Sequence, residues 1–211
     1  GHGHLVFGAI MGAAPDLVAR AVADIKRERP RLNIRILGET SDQIGLLLDR
    51  HEIELAVGRY TGPLDHNRFD FQPLADEPLR VFVRNGHPLA RKRRLTWDEL
   101  VRWPWVLQML SSPARVLLEG EFARAGVAGP GDAIECSSIF ATLQLGQSSD
   151  AIAMLPESVL RDHVGAGLLT ALNLSVGKDL KAFGVLTRKG ETLSDTAAAF
   201  VSHLRRNAGA A

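Results

Sequence analysis

The chain has 211 residues, of which 45% are hydrophobic and 23% are charged, a balance that is typical of a globular protein with a sizeable core. Lysine and arginine number 25 against 24 aspartates and glutamates, and this near balance argues against the basic face with which a domain usually grips duplex DNA. The sequence contains no apolar run of membrane length. Its single cysteine, Cys136, excludes an internal disulfide and fits a reducing compartment.

Residues 1–4, GHGH, are typical of the remnant of an expression tag, and no methionine precedes them. We therefore expect a further part of the protein, with functions of its own, to precede this sequence. No secretory signal sequence is present, which predicts a cytoplasmic location.

The first third of the sequence predicts alternating strands and helices. An apolar run at 5–10 indicates a buried strand, and the residues after Pro15 are apolar at helical spacing until a second proline stops the helix. Alternation at 32–36 predicts the second strand, 44–48 predicts the second helix, and 55–57 predicts the third strand. This order predicts a parallel sheet with right-handed crossovers.

A long strand at 79–84 then opens a second run of elements. Its apolar residues alternate, as in a strand, and His87 follows it in a predicted turn. Further strands are expected at 105–108, 133–136, 152–155, 168–172 and 180–187, with helices between them and a closing amphipathic helix at 193–206. Cys136 ends one of these strands and is expected to be buried.

The two runs predict an α/β protein of two lobes. Lobe I is predicted to take residues 5–75 and 176–207, and lobe II to take residues 76–175. Two strands, near 76–82 and 168–180, are expected to cross between the lobes. A ligand in such a protein is expected in the cleft between them, at strand carboxyl ends and helix N-termini.

Four strand-to-helix loops are expected to face that cleft. Each opens a helix and offers unpaired backbone N–H groups, and three of them add hydroxyls that could hold a carboxylate or a cluster of sugar hydroxyls. The alternative for each hydroxyl is a simple helix N-cap, and for Met11 and Ile139 it is ordinary core packing. The candidate ligand contacts are Met11, Gly12, Thr40, Ser41, Arg59, Ser111, Ser112, Ser137, Ser138, Ile139 and Met154.

Sequence signatures of catalysis and of cofactor binding are absent. The serines stand in no G-x-S-x-G context, and the histidines show no metal-ligand spacing. No phosphate-binding loop and no dinucleotide fingerprint is present. We therefore predict no catalytic residue, no metal site and no cofactor.

Nearly the whole chain, from about residue 5 to residue 205, resembles the effector-binding domain of LysR-type transcriptional regulators. The segments that carry the resemblance are PDLVARAVADIKRERPRLNIRILGE, LLLDRHEIELAVGR, PLADEPLRVFVRNGHPLA and DAIAMLPESV. Within the family, AVGR, ADEPL and SSDAIAMLP are similar to the subgroup named for the galactose-binding protein regulator.

The resemblance implies a fold, a ligand and partners. The fold is that of type 2 periplasmic-binding proteins, α/β, with two lobes, two crossover strands and a small-molecule effector between the lobes. The effector is expected to be a sugar, a sugar acid or an aromatic carboxylate, and DNA is expected to be bound only through a winged helix-turn-helix that precedes this sequence. The resemblance also implies homodimers or homotetramers in which the first helix packs against lobe II of a neighbour. This predicts interface residues among Val18, Val22 and Ile25.

Two other classes of protein stay open at this point. One is an exported solute-binding protein of similar fold, which an upstream signal sequence would distinguish. The other is an enzyme on the same two-lobed fold, which the missing acid/base and nucleophile constellations argue against.

Overall fold

The computed structural model describes residues 3–10, 15–39, 41–60, 62, 65–174, 176–177, 180 and 182–209, with the backbone alone at 39, 41 and 42. The chain forms two compact units. Unit 1 consists of Gly1–Asp76 and Lys181–Ala211, and unit 2 consists of Glu77–Leu180. No helix in these described residues is both long and apolar enough to span a membrane.

The described residues form ten strands. In chain order they are β1 His4–Ile10, β2 Asn33–Glu39, β3 Leu55–Gly58, β4 Phe69–Ala75, β5 Leu79–Arg84, β6 Trp105–Leu107, β7 Ala133–Glu135, β8 Ile152–Pro156, β9 Leu169–Ala171 and β10 Phe183–Arg188.

The same residues form eight helices. In chain order they are α1 Pro15–Glu28, α2 Ser41–Asp49, α3 Asp65–Arg68, α4 Trp97–Leu100, α5 Pro113–Arg124, α6 Ile139–Ser148, α7 Glu157–Gly165 and α8 Asp195–Gly209.

Unit 1 is built on a mixed sheet of order β2-β1-β3-β10-β4. β1 pairs in parallel with β2 and β3, and β10 runs antiparallel to β3 and β4. Helices α1 and α8 pack against each other. The aromatic rings of Phe7 and Phe200, 4.6 Å apart, lie fully buried between sheet and helices. The three parallel strands therefore bring their carboxyl ends to one edge of this sheet.

Helix α1 forms where the sequence predicts it. Pro15 suits the first turn because its missing N–H has no acceptor there, and the buried residues Leu17, Ala21 and Ile25 recur four residues apart on one face. The chain turns directly after the helix, where Lys26 Nζ donates to the Pro30 carbonyl at 2.7 Å and to the Leu32 carbonyl at 2.8 Å.

Unit 2 is built on a second mixed sheet of order β7-β6-β8-β5-β9. β6 pairs in parallel with β7 and β8, whereas β5 runs antiparallel to β8 and β9. On one face of this sheet the Trp105 ring meets Phe122 edge-on at 5.7 Å. The other face buries Phe82 against Leu143 and Leu160 of the helices that cover it. Covered on both faces, β5 is more buried than its alternating sequence suggests.

Two features of the sheets differ from the sequence-based expectations. Strand β4 was not predicted, because Pro73 interrupts its pattern; a proline is tolerated here since β4 is an edge strand. Cys136 was predicted to be buried but is only half-buried. It follows β7, which lies at the other sheet's edge with all three residues exposed.

Candidate ligand-binding site

The carboxyl ends of three parallel strands meet at one edge of the unit 2 sheet. β6 and β7 lead through short loops, residues 108–112 and 136–138, to the N-termini of α5 and α6, and β8 leads directly into α7. We call the two loops and the strand ends beneath them the unit 2 carboxyl edge. Such edges are where open α/β sheets bind ligands.

Gln108 joins the first of these loops to a neighbouring strand. It is the first residue after β6, and its side-chain Nε2 donates to the Met154 carbonyl of β8 at 3.4 Å. Its Oε1 accepts a hydrogen bond from Ser112 Oγ at 2.8 Å. One amide side chain therefore sets the position of the loop with respect to β8.

Ser112 lies where the sequence predicts a helix cap, but its hydroxyl has a different partner. The residue is the N-cap of α5 by its extended backbone, with φ −74° and ψ 130°. Its Oγ donates to Gln108 instead of accepting from the first turn of the helix. The N–H groups of that first turn, which have no acceptor inside the helix, therefore stay available at the carboxyl edge.

Arg115 is a buried cation at the start of α5, with 7% of its surface exposed. Its Nε donates to Glu119 Oε1 at 2.7 Å, and its Nη1 donates to the Gln108 carbonyl at 2.6 Å. The same Nη1 lies 3.7 Å from Glu135 Oε1 at the end of β7. Because the positive end of the helix dipole disfavours a cation here, these acceptors are needed to hold it.

The second loop is arranged by Ser138, which caps α6 as predicted. Ser138 Oγ accepts from Ala141 N–H at 3.2 Å, and its carbonyl accepts from Thr142 Oγ1 at 2.8 Å. The Cys136 N–H donates to the Leu107 carbonyl at 2.8 Å, which joins this loop to the end of β6, directly before the first loop. Ser137 is exposed beside them.

The structure brings four of the predicted hydroxyl residues to this one edge, namely Ser111, Ser112, Ser137 and Ser138. Ile139 opens α6 and packs half-buried against the core under the sheet. Met154 is 4% exposed, and its side chain belongs to the core of unit 2. Only its backbone carbonyl takes part in the edge.

The predicted contacts in unit 1 are described only in part. Met11, Gly12 and Thr40 lie outside the described residues, and Ser41 is the first residue of α2, described by its backbone. Arg59 directly follows β3 and is half-buried, with its guanidinium carbon 6.0 Å from the Phe183 ring centroid. This distance is compatible with a cation–π contact.

The residue after Arg59, Tyr60, is half-buried. Tyr60 Oη donates to the Phe69 carbonyl at 2.9 Å. Burial raises the pKa of Tyr60, and the negative charges of Asp70 and Asp65 raise that pKa further. Tyr60 is therefore a neutral hydrogen-bond donor at neutral pH.

The residues predicted at an oligomer interface lie at different depths on α1. Val18 and Ile25 are buried in the core of unit 1, and Val22 is half-buried. Ala19 and Ala23 are exposed on the same helix. Contact of α1 with a neighbouring chain stays a prediction.

Three residues at the carboxyl edge were missed by the sequence analysis: Gln108, Arg115 and Glu135. One signal was present for Arg115, because a basic residue in the first turn of a helix opposes the helix dipole and needs a specific partner. The partners themselves come from another loop and another strand, so nothing local in the sequence identifies them.

The groups at this edge are hydrogen-bond donors and acceptors. It offers backbone N–H groups, serine hydroxyls and the half-exposed carboxylate of Glu135. In the part of the chain that is described, no group of three or more histidine, cysteine, aspartate or glutamate residues could hold a metal ion. Such a donor set suits a small polar molecule.

Comparison with curated proteins relates the chain to a transcriptional regulator. It is 30% identical over 207 residues to the HTH-type transcriptional regulator GbpR of Azospirillum brasilense. The alignment covers 97% of this chain and 60% of that protein. The chain thus spans about three-fifths of the length of this relative.

Solved structures show the same fold. The regulatory domain of CcmR from Synechocystis PCC6803, in complex with 2-PG, aligns over 97% of this chain and 96% of that chain, with TM-score 0.79 and 21% identity. The effector binding domain of QuiR in complex with shikimate aligns over 100% and 99%, with TM-score 0.77 and 18% identity. At these identities the likeness concerns the fold, and it confirms the α/β fold class predicted from the resemblance.

The family comparison covers almost the whole sequence. Residues 1–209 match the family described as the LysR substrate binding domain. The match spans both units, so neither is an addition to the family's fold. The chain belongs to the LysR substrate binding domain family.

Proposed function

We propose that this chain is the ligand-sensing domain of a LysR-type DNA-binding transcription factor. The observation that carries the proposal is the family match over residues 1–209, supported by the similarity to an HTH-type regulator. DNA contact would come from a helix-turn-helix in another part of the protein, and the protein would act in the cytoplasm. We do not assign an enzymatic activity, because the matched relative is a regulator.

The proposed ligand is a small polar effector that contacts the unit 2 carboxyl edge. Two relatives of the same fold were solved with small molecules, 2-PG and shikimate. In this chain the N-termini of α5 and α6 and the hydroxyls of Ser111 and Ser137 offer donors to carboxylate or hydroxyl groups. Sugars, sugar acids and aromatic carboxylates are the classes we propose.

The proposed mechanism is a shift of population between two conformations. An effector moves such an equilibrium only by its difference in affinity for the two states, and a change from 1:99 to 99:1 needs about 5.5 kcal/mol. In a DNA-binding oligomer, that change would alter the spacing of the DNA-reading helices. If effector left both the scattering profile of the full-length oligomer and its operator affinity unchanged, this mechanism would be wrong.

The proposed assembly is a homodimer or homotetramer that uses the exposed sheet edges. β7 is an edge strand with all residues exposed, and it carries Ile134; the next helix carries Phe140, which is 81% exposed. On unit 1, the edge strand β2 exposes Ile36. Exposed strand edges with large apolar side chains are unfavourable in a monomer and are commonly covered by a partner.

A thermal-shift screen tests ligand sensing. The panel consists of D-galactose, D-galactonate, shikimate and benzoate, and a ligand at 100 times its Kd should add about 2.7 kcal/mol to the free energy of unfolding. We expect Ser112→Ala to weaken the shift given by the best compound, because Gln108 then loses the partner that orients it.

Ser202→Ala is the matched control, since the Ser202 hydroxyl donates to the Ala198 carbonyl on the surface of α8 in unit 1. Equal shifts in the wild type, Ser112→Ala and Ser202→Ala would contradict a ligand contact at the unit 2 carboxyl edge. Thr40→Ala would test the predicted contact in unit 1.

A further inference from the structure

Two polar side chains tie together the ends of three strands at the unit 2 carboxyl edge. Gln108 reaches β8 through the Met154 carbonyl. Arg115 reaches the loop after β6 through the Gln108 carbonyl at 2.6 Å, and it reaches the end of β7 through Glu135 at 3.7 Å. Of the two side chains, Arg115 is the one that joins loop 108–112 to the end of β7, from which loop 136–138 starts.

The burial of Arg115 makes this bridge different from a surface ion pair. Its side chain is 8% exposed, whereas those of Glu119 and Glu135 are 41% and 49% exposed. A buried guanidinium must satisfy its N–H groups inside the protein, because water cannot reach them. Loop 108–112 and the end of β7 therefore have to keep the positions in which the Gln108 carbonyl and the Glu135 carboxylate face this cation.

The planar fork of arginine suits this task. Its Nε and Nη1 point in different directions, which lets one side chain bond Glu119 on its own helix and Gln108 on the preceding loop. A lysine at the same place would present one compact ammonium group. Arg124, which pairs with Glu121 at the exposed end of the same helix, is the matched residue: among the described residues its ion pair stays within α5.

We infer that Arg115 is a positioning residue, which holds loop 108–112 and the end of β7, where loop 136–138 begins, in one geometry for ligand binding. The inference rests on the proposed function, because it names the residue that shapes the same edge. It also implies that the Arg115 guanidinium bonds protein groups and does not contact the ligand itself. The ligand would instead meet the helix N-termini and hydroxyls that this side chain holds in place.

Amide hydrogen exchange measured by NMR tests the inference without a ligand. The Ser112 N–H, bonded to Met109, reports the first loop, and the Cys136 N–H, bonded to Leu107, reports the second. The Ile152 N–H, bonded to Pro104, reports the opposite end of the same sheet. We expect Arg115→Met to speed exchange about tenfold at Ser112 and Cys136 and to leave Ile152 unchanged.

Each other outcome overturns the inference. Faster exchange at Ser112 alone would show that Arg115 acts only on its own helix and the loop before it. Equal acceleration at all three amides would show that Arg115 stabilises unit 2 as a whole. If the control Arg124→Met accelerated exchange at Ser112 and Cys136 as Arg115→Met does, the effect would not be specific to Arg115.

Should Arg115→Met fail to fold, Glu135→Gln replaces it. The substitution keeps the size of the half-exposed side chain and removes only the charge that faces Arg115. It should accelerate exchange at Cys136 and not at Ile152; no change at Cys136 would overturn the bridge. The thermal-shift screen of the wild type is independent of these results, so the positioning role and the proposed function can fail separately.

Discussion

At the scale of the residue, His87 is a buried polar side chain whose two ring nitrogens both form hydrogen bonds. It is 2% exposed, and its ring lies 4.5 Å from that of Trp103. Its Nδ1 accepts from Leu89 N–H at 3.0 Å, so Nε2, 3.1 Å from the Asp150 carbonyl, carries the proton and donates. Burial lowers the pKa of His87, although the hydrogen bond to Asp150 acts in the opposite direction.

The neutral form of His87 predicts a pH dependence of stability. Because its pKa in the folded chain lies below the ordinary value of 6.5, the unfolded chain binds the proton more readily. The stabilisation is therefore complete above about pH 6.5 and is lost as the pH falls towards the lowered pKa. We expect urea unfolding between about pH 7 and pH 5 to show a falling free energy of unfolding, and His87→Gln to flatten this fall.

His51→Gln is the control for this measurement, since His51 is exposed and pairs with Glu191 on the surface. If the free energy of unfolding fell with pH in the same way in the wild type and in His87→Gln, His87 would not be the group that causes the fall. The ion-paired carboxylates of Asp24 and Glu191, whose pKa values are lowered mainly by hydrogen bonds to Asn207 and Arg188, would act at lower pH.

At the scale of the element, the sequence predicts best where periodicity is long. Helix α1 has four buried residues at helical spacing, and the structure confirms it. Strand β4 was missed because Pro73 and mixed burial hide its period. The hydroxyl of Ser112 was predicted as a cap but bonds Gln108, since a competing acceptor lies near it in space. Local pattern therefore predicts that an element exists better than it predicts the partners of its end residues.

The pairing of β10 with β4 depends on one glycine. A Cβ atom on Gly184 would lie 2.1 Å from the Gln72 carbonyl oxygen, at the point where the register of the two strands shifts. Backbone cannot yield as a flexible side chain does, so we expect Gly184→Ala to lower the free energy of unfolding by about 3 kcal/mol.

Denaturant unfolding measures this change. Gly131→Ala is the control, because a Cβ atom there meets nothing within 4 Å. Equal unfolding midpoints for the two variants would contradict the prediction, because they would show that β10 and β4 accommodate a Cβ atom at position 184 without loss of stability.

At the scale of the whole molecule, the proposed homodimer or homotetramer is inferred from surfaces that are exposed in a single chain. It rests on the exposed edge strands β2 and β7 and on Phe140 at the start of α6. In an interface with two-fold symmetry each residue occurs twice, so one substitution removes two contacts.

Phe140→Ser tests the proposed interface. In the proposed dimer both copies of the Phe140 side chain would be buried, so their removal should weaken dimerisation about tenfold or more. Sedimentation of the chain over a range of concentrations measures this change. Val164→Ser, an exposed apolar position on α7, is the control. An unchanged dissociation constant for Phe140→Ser would exclude this part of α6 from the interface.

The sequence by itself determined the kind of protein. Strand and helix periods, the turn residues and the segments that resemble LysR-type regulators are all properties of neighbouring residues, and they were sufficient for the fold class and the family. They also indicated that Ser111, Ser112, Ser137 and Ser138 follow parallel strands, because strand carboxyl ends of one parallel sheet share an edge.

Only the tertiary structure decided how that edge is held. The contacts of Arg115 with Gln108 and Glu135 join residues that are 7 and 20 positions apart in the sequence. The burial of Met154 and Ile25 likewise depends on which face of each element meets the core. The physical reason is the same in both cases, since hydrogen bonds and burial are set by neighbours in space, which the local pattern of a sequence does not name.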